Sequence, residues 1–183
     1  MMSFDKQIAI RCFEENAPSI DAEPVVGYWL SLWRGDALPL RADFKPKAVV
    51  KALPSIAMFD VVPDRSVHCR LMGSGLTQGL GQDPKGKDWI ALTRQEDRAP
   101  RLQRWSDVAR GAIGRGLRTG YRASGAKQLS EELMLPFAPA ETSDAHQVLY
   151  HISWKQTAYD PTRGGVDAVN SLAEEFRLFD LGK

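Results

Sequence analysis

Residues 56–76 read IAMFDVVPDRSVHCRLMGSGL, and the fold turns on them. The first run, residues 56–62, is rich in β-branched and aromatic residues. The second, residues 66–72, alternates: Val67, Cys69 and Leu71 on one face, His68, Arg70 and Met72 on the other. Two such runs joined by Pro-Asp-Arg-Ser predict a β-hairpin with one buried face. Pro63 brings a fixed φ and no N–H to the corner, and Asp64 is suited to bonding its own backbone there. Gly73 and Gly75 end the second strand, and short helical pieces follow.

The chain of 183 residues is long enough for one domain, or one domain with an arm. Apolar residues make up 43% and charged residues 26%, which supports a real core and argues against a disordered chain. The net charge of +1 gives no global pull toward nucleic acid or an anionic membrane. Locally, arginines crowd residues 94–122. The ordinary reading is a solvated helix face followed by an exposed strand; the alternative is a phosphate or nucleic-acid surface. Cys12 and Cys69 are far apart and form no CxxC pair, which suits a reducing, cytoplasmic setting. The N-terminus has charges scattered through it, and no run approaches 18 apolar residues. Neither a secretory signal nor a membrane span is expected.

Outward from the hairpin, residues 1–24 are weakly amphipathic and read as an arm or short helix. Val25, Val26, Trp29, Leu32 and Trp33 then recur at helical spacing, with Pro24 in a first turn and Gly35 as a stop. This helix is expected to dock on the domain's own sheet, or to offer Trp29 and Trp33 to a second copy as a dimer interface. Residues 47–53 allow about two helical turns. Residues 79–86, GLGQDPKG, are turn-rich but form no phosphate loop, because Asp88 stands where a hydroxyl should follow Lys87. Residues 94–112 are the longest helical candidate, with Leu102, Trp105, Val108, Ala109 and Ala112 on one face.

Three strand-like segments follow, at 114–124, 128–137 and 147–156, joined by turns as in an antiparallel meander. Beyond residue 157 the chain reads as a polar tail with a short helix at 171–181. The predicted class is α+β: a five-stranded antiparallel sheet with helices inserted after strand two, plus an N-terminal helix.

That order resembles the PAS domain, and the local patterns are similar to one compact PAS-like group found in proteobacteria. The patterns are the tryptophan helix running into RADFKP at residues 29–46, LPSIAMFDV at 53–61, CRLMGSGL at 69–76, GQDPKGKDW at 81–89, and a strand ending in Leu-Pro-Phe at 135–137. The resemblance covers roughly residues 25–157. It implies a sensory or regulatory module that binds a small molecule between sheet and helices, or pairs with a second copy or a signalling partner through its N-terminal helix and outer sheet face. The residues after 160 are too few for a kinase or cyclase output domain.

Cofactor-bearing versions of the fold are disfavoured. Residues 74–112 hold no cysteine for a flavin photoadduct, and residues 94–112 no histidine for haem; His68, His146 and His151 would have to serve instead. The three histidines show no metal-ligand spacing. No GxSxG or HExxH motif is present, and Glu131 and Glu132, adjacent on a strand, point to opposite faces. An enzyme is not expected. Polar residues on otherwise apolar strands are the candidate ligand contacts: Arg70, Tyr121 and His151. The alternative leaves Arg70 and His151 in solvent and Tyr121 covering the core edge.

Overall fold

The hairpin forms where the sequence places it: β1 (Ile56–Val62) and β2 (Ser66–Met72) pair antiparallel. Arg65 N donates to Val62 O at 3.0 Å across the turn, and Asp64 takes φ 60, a left-handed conformation Asp tolerates. The computed structural model describes residues 3–80, 83–121, 126–139, 143–159 and 175–182. β1 is not half-exposed. It lies inside the sheet between β2 and β5 (His146–Tyr159), and Ile56, Ala57, Met58 and Phe59 are all buried. One buried face was expected; the helices described below cover both.

β3 (Ala112–Tyr121), β4 (Ala126–Pro136) and β5 form the expected antiparallel meander. The segment read as a C-terminal helix at 171–181 is corrected in its described part: Glu175–Asp180 is a strand, β6, paired with β3. The sheet therefore has six strands, in the order β2-β1-β5-β4-β3-β6. Alternation explains the correction. Phe176 packs toward one face of the sheet and Phe179 toward the other, as period-two geometry dictates. β6 also ties the chain ends together, since Asp5 N donates to Leu181 O at 2.8 Å.

On the inner face α4 (Arg98–Ala109) packs Trp105 and Val108 over Phe59, Val148 and Tyr150. The Phe59 ring lies 4.6 Å from Trp105 and 5.3 Å from Trp89, centroid to centroid. α3 (Ser74–Leu80) begins next to Gly73, where a Cβ would collide with the Leu53 and Pro54 carbonyls. The outer edge of β2 is covered by residues 86–89: Trp89 N donates to Val67 O at 2.7 Å, and Cys69 N to Lys87 O at 3.1 Å.

The outer face carries α1 (Lys6–Glu15), α2 (Glu23–Ser31) and a 3-10 segment, Pro46–Ser55. Asp5 caps α1 by accepting from Gln7 N, and Pro24 sits in the first turn of α2 as predicted. Val25, Trp29 and Val49 pack on Ile56, Met58, Leu133, Leu135 and Leu149. The N-terminal third of the chain thus covers the face that the resemblance leaves open for pairing.

Candidate functional site

The register of β1 against β2 slips by one residue. Phe59 faces Cys69 but Met58 faces Leu71, so Arg70 has no opposite partner. An extra residue of this kind inverts the alternation beyond it. Leu71, expected beside Val67 and Cys69, is carried to the face of Met58 and is 53% exposed, while Val67 and Cys69 stay buried. Beside it lies a groove of about 750 Å³. Ile56 and Met58 contribute to it from β1, Val50 and Leu53 from the 3-10 segment, and Leu71 and Met72 from β2. Two cations border it. Arg70 donates to Asp60 Oδ2 at 3.0 Å, and Arg41 stands over the Phe44 ring with 5.6 Å to the centroid. Asp60 also accepts from Gln147 Nε2 at 2.8 Å.

Of the two sequence candidates whose side chains are described, Arg70 borders this groove and His151 does not. His151 lies on the same outer face, on the other side of the 3-10 segment, and is 1% exposed, so the solvent-facing alternative is corrected. Its burial follows from the cover laid over the outer face. Neither ring nitrogen has a hydrogen-bond partner, and burial pushes its pKa down to about 4. Tyr121 closes β3 opposite Lys127, and its side chain lies outside the described residues. Trp29 and Trp33, expected as a dimer interface, are 0% and 7% exposed. They stack edge to face at 5.4 Å inside the core, and Trp29 Nε1 donates to Pro136 O at 3.0 Å. The interface assignment is corrected: both indoles are consumed by the chain's own sheet.

Among the described residues the arginines of 94–122 form a solvated face only in part: Arg94, Arg98 and Arg110 are exposed, while others turn inward. Arg98 donates to Thr93 O and Ala91 O, Arg110 pairs with Asp64, and Arg115 holds Glu131 at 2.5 Å. Arg101 and Arg118 are 5% and 3% exposed. Leu117 is 41% exposed while Arg118 is buried, because Arg118 reaches Glu132 beneath α4 at 3.2 Å. Tyr150 Oη donates to the same Glu132 oxygen at 2.8 Å, and burial raises its pKa well above that of an ordinary phenol. The alternation of 114–124 hid this inner-face cluster; Glu132 amid the apolar run of β4 was its one sequence signal. The void beside it measures about 10 Å³, room for roughly one water. Glu131 and Glu132 do serve opposite faces, Glu131 on Arg115 and Glu132 on Arg118.

Burial pushes the Cys12 and Cys69 thiols up to about 11, which leaves both protonated at neutral pH. Among the described residues no three His, Cys, Asp or Glu side chains converge as a metal site. No described helix is long and apolar enough to cross a membrane.

A comparison with curated proteins finds no match. A family model described as PAS domain matches residues 18–150, well over half the chain, from before α2 into β5. The sheet of antiparallel strands with helices after its first hairpin agrees with that match, and sensory or regulatory roles are general to such domains. The chain belongs to the PAS domain family.

Proposed function

We propose that this domain is a regulatory module that acts by protein–protein association, and that the groove beside Arg70 receives an amphipathic segment of its partner. The observation that carries this reading is the bulge at Arg70. It sets Leu71 out beside exposed Val50 on an apolar groove bordered by Arg41 and Arg70. The chemistry suits a segment with apolar residues spaced for the groove and carboxylates for Arg41 and Arg70. Among the described residues the void beside Glu132 on the inner face has room for about one water, which favours association over an enclosed ligand there.

The test is site-specific photo-crosslinking in the source cell, with Leu71→p-benzoylphenylalanine in the full chain and the same probe at exposed Gln103 on α4 as control. The expected result is one adduct from position 71 whose crosslinked peptide carries acidic residues next to apolar ones, and which Arg70→Glu abolishes. An adduct with a second copy of this chain, an adduct shared with position 103, or none at all would overturn the reading.

A further inference from the structure

On the other side of the Pro46–Ser55 segment lies a second cleft, of about 670 Å³. The N-terminal end of α2 contributes Pro24 to it, and the preceding link contributes Asp21. The 3-10 segment contributes Lys47, Val49, Lys51 and Ala52, and β5 contributes His151. The cleft adjoins the groove at Val50, which lines both, and lies on the sheet face opposite α4.

His151 sits on the central strand β5, flanked by Ile56 on one side and Leu133 on the other. Both neighbours are aliphatic and buried. The neutral imidazole presents one N–H donor and one lone-pair acceptor, and here both are unpaired at 1% exposure. Buried polar groups are nearly always satisfied, and each exception asks for a cause. Histidine is also a costly filler for an aliphatic site: leucine would occupy it with no polar atom to satisfy. Trp33 Nε1 on this face is also buried without a partner, but the polar groups nearest along β4 and β5 are paired. Ser19 N donates to Glu131, Ser19 and Ser153 share a hydroxyl contact, and Arg115 holds Glu131.

We propose that this cleft binds a small monocarboxylic acid bearing a hydroxyl or carbonyl group, with that oxygen on the His151 ring. The remaining lining sets the rest of the ligand. Val49, Ala52 and Pro24 meet a compact apolar body, and Lys47 and Lys51 meet its carboxylate. Asp21, whose field reaches His151, opposes a second carboxylate at the imidazole end. A diacid is therefore rejected there by like-charge repulsion. A bound acid bridges β5, the link before α2 and the 3-10 segment, which are the parts that close the outer face.

The test is NMR of the ¹⁵N-labelled full chain, reading the histidine ring nitrogens. The sequence holds three histidines, His68, His146 and His151, so the His151 signals are assigned by their loss in His151→Leu. The probes are 4-hydroxybenzoate and 4-hydroxybutyrate, each titrated to about 10 mM. The expected result is a saturable shift of the His151 signals with at least one probe while His68 and His146 stay still. The exposed pair Lys47→Glu with Lys51→Glu, read on the same His151 signals, weakens binding about tenfold or more. Unmoved His151 signals with both probes, equal shifts at all three histidines, or undiminished binding by the folded Lys47→Glu/Lys51→Glu protein would overturn the proposal. The groove reading stands or falls separately, since its crosslinks form at position 71.

Discussion

Arg70 has no opposite residue on β1, and its guanidinium reaches back to Asp60 Oδ2 at 3.0 Å. One extra residue in β2 thus does two things. It moves Leu71 to the outer face, and it sets a cation at the border of the groove that Leu71 helps to form. The Arg70–Asp60 pair is exposed on the arginine side, and such pairs contribute about 0–1 kcal/mol. Arg70→Glu and Leu71→p-benzoylphenylalanine are therefore expected to unfold in urea within about 1 kcal/mol of the wild type. A larger loss would mean that the groove residues serve the fold, and the crosslinking result would then lose its meaning.

Trp29 fills the core under α2, and its indole N–H satisfies the Pro136 carbonyl. Trp29→Ala removes a large buried side chain and leaves that acceptor unpaired. A loss of about 3–5 kcal/mol in urea unfolding is expected. Sedimentation of the protein that remains folded should give the same oligomeric state as the wild type. A change of oligomeric state with stability intact would restore the interface role that the burial contradicts.

Glu132 faces Arg118 and Tyr150 beneath α4, with Arg118 4% and Glu132 12% exposed at the side chain. Removing the carboxylate strands a buried guanidinium. Glu132→Ala is expected to cost about 3–5 kcal/mol. Tyr150→Phe deletes one hydrogen bond to the same oxygen and keeps the ring packing, so about 1–3 kcal/mol is expected. Equilibrium unfolding of the two single variants and the double variant checks both values, and an additive double variant would show that the pair is not coupled.

Burial lowers the His151 pKa to about 4, with the fields of Asp21 and Glu131 acting the other way. Unfolded histidine titrates near 6.5. Above that pH neither state binds the proton, and His151 costs nothing by titration. As pH falls from about 6.5 toward about 4 the unfolded chain takes up a proton that the folded chain refuses, so stability drops. Between about pH 7.5 and about pH 5 the wild type should lose about 2 kcal/mol more than His151→Leu. Urea unfolding of both proteins at the two pH values measures the difference, and parallel losses would place His151 in contact with solvent or a proton-stabilising partner.

The strands were legible because each carries its own signal. Alternating or β-branched runs end at prolines and glycines, and the three long segments after residue 112 come one after another with turns between. The N-terminal helix was legible for the same reason, in the spacing of Val25, Val26, Trp29 and Trp33. The C-terminal strand was misread because EFRLFD is short and its alternation has meaning only beside the open edge of β3. The candidate site was legible in part. Arg70 stood out as a charge between apolar neighbours, but nothing in SVHCRLM marks which residue the partner strand will skip.

The sequence by itself determined the α+β class, the hairpin and its turn, the tryptophan helix and the meander of alternating strands, because each rests on patterns within a few residues along the chain. Tertiary structure alone decided which faces are covered. It buried Trp29 and Trp33, withdrew His151 from solvent, drew Arg118 inward to Glu132, and slipped β2 by one residue so that Leu71 faces outward. Burial and register depend on what packs from a distance, and the pattern of one strand does not record what another segment will lay across it.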